Sequence, residues 1–100
     1  MELTGKCKED FEVWYNDVQR YNMGWFYRLQ EEYQYGVYVD FFDSVGIQLS
    51  IHCWDNNKYS FTTLKEGRYM RQHKPEVTSR QEAREQAITK VNEVYNDANR

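Results

Sequence analysis

From Cys7 to Val18 the apolar residues recur every three or four positions. Cys7, Phe11, Trp14, Tyr15 and Val18 make one stripe, while Lys6, Lys8, Glu9, Asp10, Glu12 and Asp17 fill the remaining positions. That period predicts an amphipathic helix over about 5–20, opened by Thr4 at the N-cap. Asn22 to Arg28 then reads as a connector with apolar anchors. Near the end of the chain, Ser79 and Glu82 form an S-x-x-E capping box, the reciprocal arrangement that satisfies two free N–H groups at a helix start. Ala83, Ala87, Ile88, Val91, Val94 and Tyr95 continue as an apolar face. They predict a helix over about 80–97, with residues 96–100 fraying.

The stretch YGVYVDFFDSVGI, residues 35–47, supports two periods. Tyr33, Tyr35, Val37, Val39 and Phe41 alternate with Gln34, Gly36, Tyr38 and Asp40, as in a strand. Tyr33, Val37, Phe41 and Val45 also fall at i+4 steps, widened by Tyr38 and Phe42, as in a helix. Glu31 and Glu32 suit a helix N-terminus, where the backbone dipole is positive. Gly46 suits the left-handed position that ends a helix, and a strand of this length would be unusual. The helical reading, 30–45, is preferred. After Gly46 the period becomes two: Ile47, Leu49, Ile51 and Cys53 alternate with Gln48, Ser50, His52 and Trp54. Asp55–Lys58 is turn chemistry, Tyr59–Leu64 returns antiparallel, and Lys65–Arg68 is a second turn around Gly67. Arg68–Gln72 is a short third strand at most, and His73–Val77, with the only proline, reads as a loop.

These elements predict a single α+β domain over residues 1–100. A small antiparallel sheet of two to three strands is packed on one face by helices, in the order α-α-β-β-(β)-α. If residues 33–42 are a strand instead, the order becomes α-β-β-β-α, that of the double-stranded RNA-binding fold.

Composition changes this picture in one respect. Leu, Ile, Val and Phe supply only 20 residues, and nine Tyr and three Trp make up the shortfall. Such rings bury large area while keeping a polar atom near water, so aromatic faces suited to a homodimer or a protein partner are expected. The net charge of −3 gives no overall pull toward polyanions. Its distribution is uneven: residues 1–64 hold five Lys/Arg against ten Asp/Glu, and residues 65–80 hold five against two. No apolar run approaches a membrane span, and the first residues lack the apolar core of a secretory signal. Cys7 and Cys53 are therefore expected as free thiols in a reducing cytoplasm.

Three segments carry a resemblance: LTGKCKEDFE (residues 3–12), YGVYVDFFDSVGI (35–47) and SRQEAREQAITKVNEVYN (79–96). Together they resemble a group of small uncharacterised proteins of gut Bacteroides-type bacteria and their prophages. The likeness covers most of the chain, least over 55–75. It implies a small, soluble, cytoplasmic protein of mobile-element origin, favours the helical reading of 30–45, and carries over no function and no catalytic residue.

Candidate chemistry is sparse. Asp40 and Asp43 would share one side of a helix, but two carboxylates are too few for a hard metal, and a solvated helix edge accounts for them. His52 and Cys53 are adjacent, so a strand points them to opposite faces, and no zinc spacing joins them to His73 or Cys7. Cys7 lies on the apolar stripe, where burial makes a thiol inert. No catalytic, cofactor or metal residue is assigned. Two surfaces remain. Trp54, His52, Tyr59 and Thr62 are expected on an open, aromatic sheet face that docks a partner, with Trp25 as a further exposed ring. Lys65, Arg68, Tyr69, Arg71, Lys74 and Arg80, with His73, form a basic stretch able to meet phosphates or stack a base. The expectation is a small non-enzymatic interaction protein acting through the sheet face, with nucleic-acid binding through 65–80 as the alternative.

Overall fold

The computed structural model describes residues 2–55, 58–65, 68–77 and 79–99, with side chains for all of these except 54–55 and 68–76. The chain is an α+β protein. Helix α1 (Gly5–Val13) runs on into a π-helical turn (Trp14–Val18). Helices α2 (Met23–Arg28) and α3 (Glu31–Ser44) follow, then strands β1 (Ile47–Asp55), β2 (Lys58–Lys65) and β3 (Arg68–Val77), and finally α4 (Arg80–Ala98). The three strands form an antiparallel sheet in the order β1-β2-β3.

The ambiguous stretch is helix α3, so the α-β-β-β-α order gives way. Tyr38, Phe41 and Phe42 are all buried. On a helix these i, i+3 and i+4 positions share one face, whereas a strand would send Phe41 and Phe42 to opposite sides. Glu31 and Glu32 occupy the first turn, and Gly46 ends the helix at φ 83°, its N–H donating to the Asp43 carbonyl at 3.1 Å. The buried face is rotated from the expected one: Tyr33 and Val45 are exposed and Val37 is half-buried.

Helix α1 buries Cys7, Phe11 and Tyr15 as its period predicts, but Val18 is exposed. The π turn is the reason. The Gln19 N–H reaches the Trp14 carbonyl five residues back, at 2.9 Å, and the wider turn rotates Val18 off the stripe. Arg20 then adopts φ 59°, a left-handed conformation that stops the helix. The expected connector 22–28 contains helix α2. Asn22 caps it by accepting from the Gly24 N–H at 2.7 Å. Gln34 of α3 closes the other end, donating to the Phe26 and Leu29 carbonyls at 3.2 and 3.1 Å.

The expected loop 73–77 belongs to strand β3. Tyr59 pairs with Val77 and Phe61 with His73, so β3 carries two extra residues between these pairs. Pro75 falls within that irregularity on an edge strand, where its missing N–H breaks no regular ladder. The turn residues Asn56, Asn57, Glu66 and Gly67 lie outside the described residues.

Helix α4 packs across all three strands, and α3 packs on β1 and α4. Phe61 borders Glu85 and Thr89 of α4, which fixes the helix-facing side as that of Phe61, Ile51 and Ile47. On the other side of β1, Gln48, Ser50 and His52 are exposed. The core is aromatic. Phe11 lies 5.0–5.5 Å, centroid to centroid, from Phe26, Tyr38 and Phe41. Each buried ring contributes about 1.5–3 kcal/mol of apolar transfer.

The start of α1 is tied to α4. Thr4 occupies the N-cap, but its side chain does not cap its own helix. Instead the Asn96 Oδ1 accepts from the Cys7 N–H at 2.8 Å, and its Nδ2 donates to the Thr4 carbonyl at 2.9 Å. Asn92 accepts from the Thr4 N–H and donates to the Thr4 hydroxyl, both at 2.8 Å. Gly5, at φ 60°, permits this approach, since a Cβ there would sit 3.1 Å from Asn96 Nδ2. Asn96, expected in a fraying tail, is part of this clasp.

Candidate interaction surface

Among the described residues, exposed large hydrophobic side chains are concentrated in one part of the chain. Val13, Val18, Tyr21, Trp25, Tyr27 and Tyr33 all stand exposed there, with Val45 apart from them. They belong to the end of α1, the link to α2, α2 itself and the first turn of α3. The geometry of α2 explains two of them. Phe26 is 1% exposed and sits edge-on to Phe11 and Tyr38 at 5.1 and 5.2 Å. Its sequence neighbours, each about 100° around the helix, must then turn outward. Trp25 is 66% and Tyr27 61% exposed, and the Arg28 guanidinium lies 5.8 Å from the Trp25 ring. Helix α2 thus presents rings to water while one deeply seated phenylalanine holds it in place.

Two grooves border this rim. The first lies between α1, α2 and α3, over a floor of Phe26 and Tyr38, with Tyr27 at its edge and Glu2, Glu12 and Glu31 among its charged lining. Lys8 is the one cation lining it among the described residues, and Gln81 donates to Glu31. The second runs between the π turn and α3. Trp14, Tyr15, Tyr21 and Val37 line it with Asp40 and Asp43. Tyr21 rests 5.4 Å from Tyr15, and Trp14 lies 5.6 Å from Phe41. Asp40 and Asp43 are both exposed, and among the described residues neither takes part in an ion pair. Both grooves carry net negative charge beside aromatic walls.

The expected sheet face is only partly assembled. His52 Nε2 and Thr62 Oγ1 lie 3.1 Å apart, so these two do share a face, but Thr62 is buried rather than exposed as expected. Tyr59 does not join them. It pairs with Cys53, while His52 pairs with Ser60, and directly paired residues share a side. Tyr59 therefore faces the helices, where the Arg80 guanidinium lies 5.6 Å from its ring. The Trp54 side chain lies outside the described residues. Of the expected basic stretch, Lys65 is exposed and Arg80 is engaged with Tyr59. The side chains of Arg68, Tyr69, Arg71, His73 and Lys74 also lie outside the described residues.

The thiols differ. Cys7 is fully buried in the core, and burial pushes its pKa up to about 12, so it is held as an inert thiol. Cys53 is exposed, and neither thiol is in a disulfide. Among the described residues no group of three or more His, Cys, Asp or Glu is placed to hold a metal ion. No described helix is long and apolar enough to cross a membrane.

The rim escaped the sequence reading because a connector was expected at 22–28. The signal was present: Asn22 precedes Met23 and Phe26, an N-cap before apolar residues at i and i+3. No family model matches the chain, and neither a curated protein nor a solved structure matches it.

Proposed function

We propose that this chain is a small, non-enzymatic, cytoplasmic interaction protein that docks a protein partner on the rim formed by the end of α1, α2 and the start of α3. The observation that carries this reading is the concentration, among the described residues, of exposed rings and valines between Val13 and Tyr33. Exposed apolar patches of this kind are a feature of binding surfaces, and Trp and Tyr are the residue types that most often dominate interface energies. The rim replaces the sheet face as the docking surface, because Tyr59 faces the helices, the described residues of β1 on the other side, Gln48, Ser50 and His52, are polar, and Ser60 and Thr62 beside them are buried. The inert setting of Cys7 supports binding rather than thiol chemistry. Two cysteines outside any disulfide suit a reducing compartment.

Site-specific photocrosslinking tests this. A benzophenone side chain placed at Trp25 or Tyr33 should give one discrete protein adduct in the cells that express the chain. The same group at Gln48 or Ser50 should give none. Adducts formed at the sheet positions and absent from the rim would move the docking surface back to the sheet. An adduct between two copies of the chain would identify the partner as itself, and sedimentation across concentrations would then show a dimer.

A further inference from the structure

We infer that the partner reaches this rim with a cationic segment, and that one of its arginine or lysine side chains lodges in the groove between the π turn and α3. This deepens the proposed docking role and rests on it. The groove combines the two features that recognise such a side chain. Its walls are the rings of Trp14, Tyr15 and Tyr21, and its charged groups are Asp40 and Asp43. A guanidinium stacks on aromatic faces and pairs with carboxylates through a planar fork of donors. Asp40 and Asp43 stand three residues apart on one helix, so their side chains point to the same side. Neither is neutralised by an ion pair among the described residues, so an incoming cation displaces no resident one.

The first groove, between α1, α2 and α3, reinforces the sign. It meets the rim at Tyr27 and carries three glutamates against one lysine, so a partner lying across the exposed rings meets negative charge on both sides. Such a field favours a cationic partner and repels nucleic acid. The π turn contributes shape. By rotating Val18 outward while keeping Tyr15 buried, it leaves Trp14 half-buried beside α3, so that the indole lines the groove. π turns recur at functional sites.

The test is an NMR titration of the full chain with three blocked pentapeptides, alternating leucine with arginine, with citrulline, or with glutamate. Citrulline keeps the shape of arginine and removes its charge. The arginine peptide should shift the Trp14 indole signal and the amides of Tyr21, Asp40 and Asp43 in a saturable way. The citrulline peptide should bind at least threefold more weakly, and the glutamate peptide should leave these signals in place. The double substitution Asp40→Asn with Asp43→Asn should cut arginine-peptide affinity at least threefold without altering the remaining spectrum, since both side chains are exposed and the fold does not depend on them. Equal binding of arginine and citrulline peptides at these signals would overturn the inference while leaving the rim as a docking surface. Shifts confined to other parts of the chain, or no shifts, would overturn it outright. A short single-stranded RNA that moved the same signals would also overturn it, in favour of a nucleic-acid partner.

Discussion

Replacing Asn92 with alanine tests whether the two ends of the chain stabilise each other. Asn92 is 7% exposed and makes two hydrogen bonds of 2.8 Å to Thr4. Each such bond contributes about 0.5–1.5 kcal/mol net. Thr4 is exposed, so water can reach its freed N–H and the full desolvation penalty is not incurred. The expected loss is therefore about 1–3 kcal/mol. For a chain of this size that lowers the melting temperature by roughly 4–8 °C per kcal/mol. Asn96→Ala removes the partner of the Cys7 N–H, a cap by another name, and should cost about 0.5–2 kcal/mol. Urea unfolding followed by circular dichroism gives both values, with an unchanged slope showing that the unfolded reference is the same. A double-mutant cycle of Thr4→Ala with Asn92→Ala sharpens the point. Because the two side chains bond each other, the cycle should return a coupling of roughly 0.5–1.5 kcal/mol. If Thr4 capped its own helix instead, Asn92→Ala would be near neutral and the coupling would vanish. That result would refute the clasp.

Gly36 lies inside α3 with nothing within 4 Å of a Cβ added there, so Gly36→Ala should stabilise the protein by about 0.5–1 kcal/mol in the same urea assay. With a thiol reagent such as Ellman's at pH 8, Cys53 should react promptly and Cys7 only after denaturation, because Cys7 is buried with its pKa pushed up to about 12; two fast thiols would contradict the core described above. The Lys6 ammonium, 2.8 Å away, and the Tyr95 hydroxyl that donates to it hold the Asp10 carboxyl below its usual range. A lowered folded pKa means its contribution is complete above the ordinary carboxylate value of about 4 and is lost as pH falls through the folded value. Asp10→Asn should therefore flatten the fall in stability below about pH 4, and chemical denaturation across pH 2–6 measures it.

Local pattern alone determined much of this protein. The capping box at Ser79, where the side chain accepts from the Glu82 N–H at 3.1 Å, depends on four adjacent residues. The stop at Gly46 depends on one residue's freedom to take positive φ. The apolar period of α4, and the change from a helical to a strand period after Gly46, likewise rest on neighbours within one or two turns. Even the identity of α3 was legible, because acidic residues at its start and glycine at its end agreed with its period. Signals of this range survive in the sequence because the backbone and nearest side chains create them.

What the tertiary structure decided depends on residues far apart in the chain. Which side of α3 is buried was set by Phe11 and Phe26, and it left Tyr33 and Val45 exposed against the i+4 pattern. The π turn moved Val18 off its stripe, and one added residue in a turn leaves no mark in an apolar count. Helix α2 is too short to stand alone; it is held by Phe26 in the core and by Gln34 on its last carbonyls. The capping of α1 by Asn92 and Asn96 joins residues 88 and 89 positions apart. The candidate site is of this second kind. Its aromatic walls come from the π turn and the link to α2, and its carboxylates come from α3. Only packing brings them to one groove, because the burial that selects which rings face water is a property of the assembled core and not of any single segment.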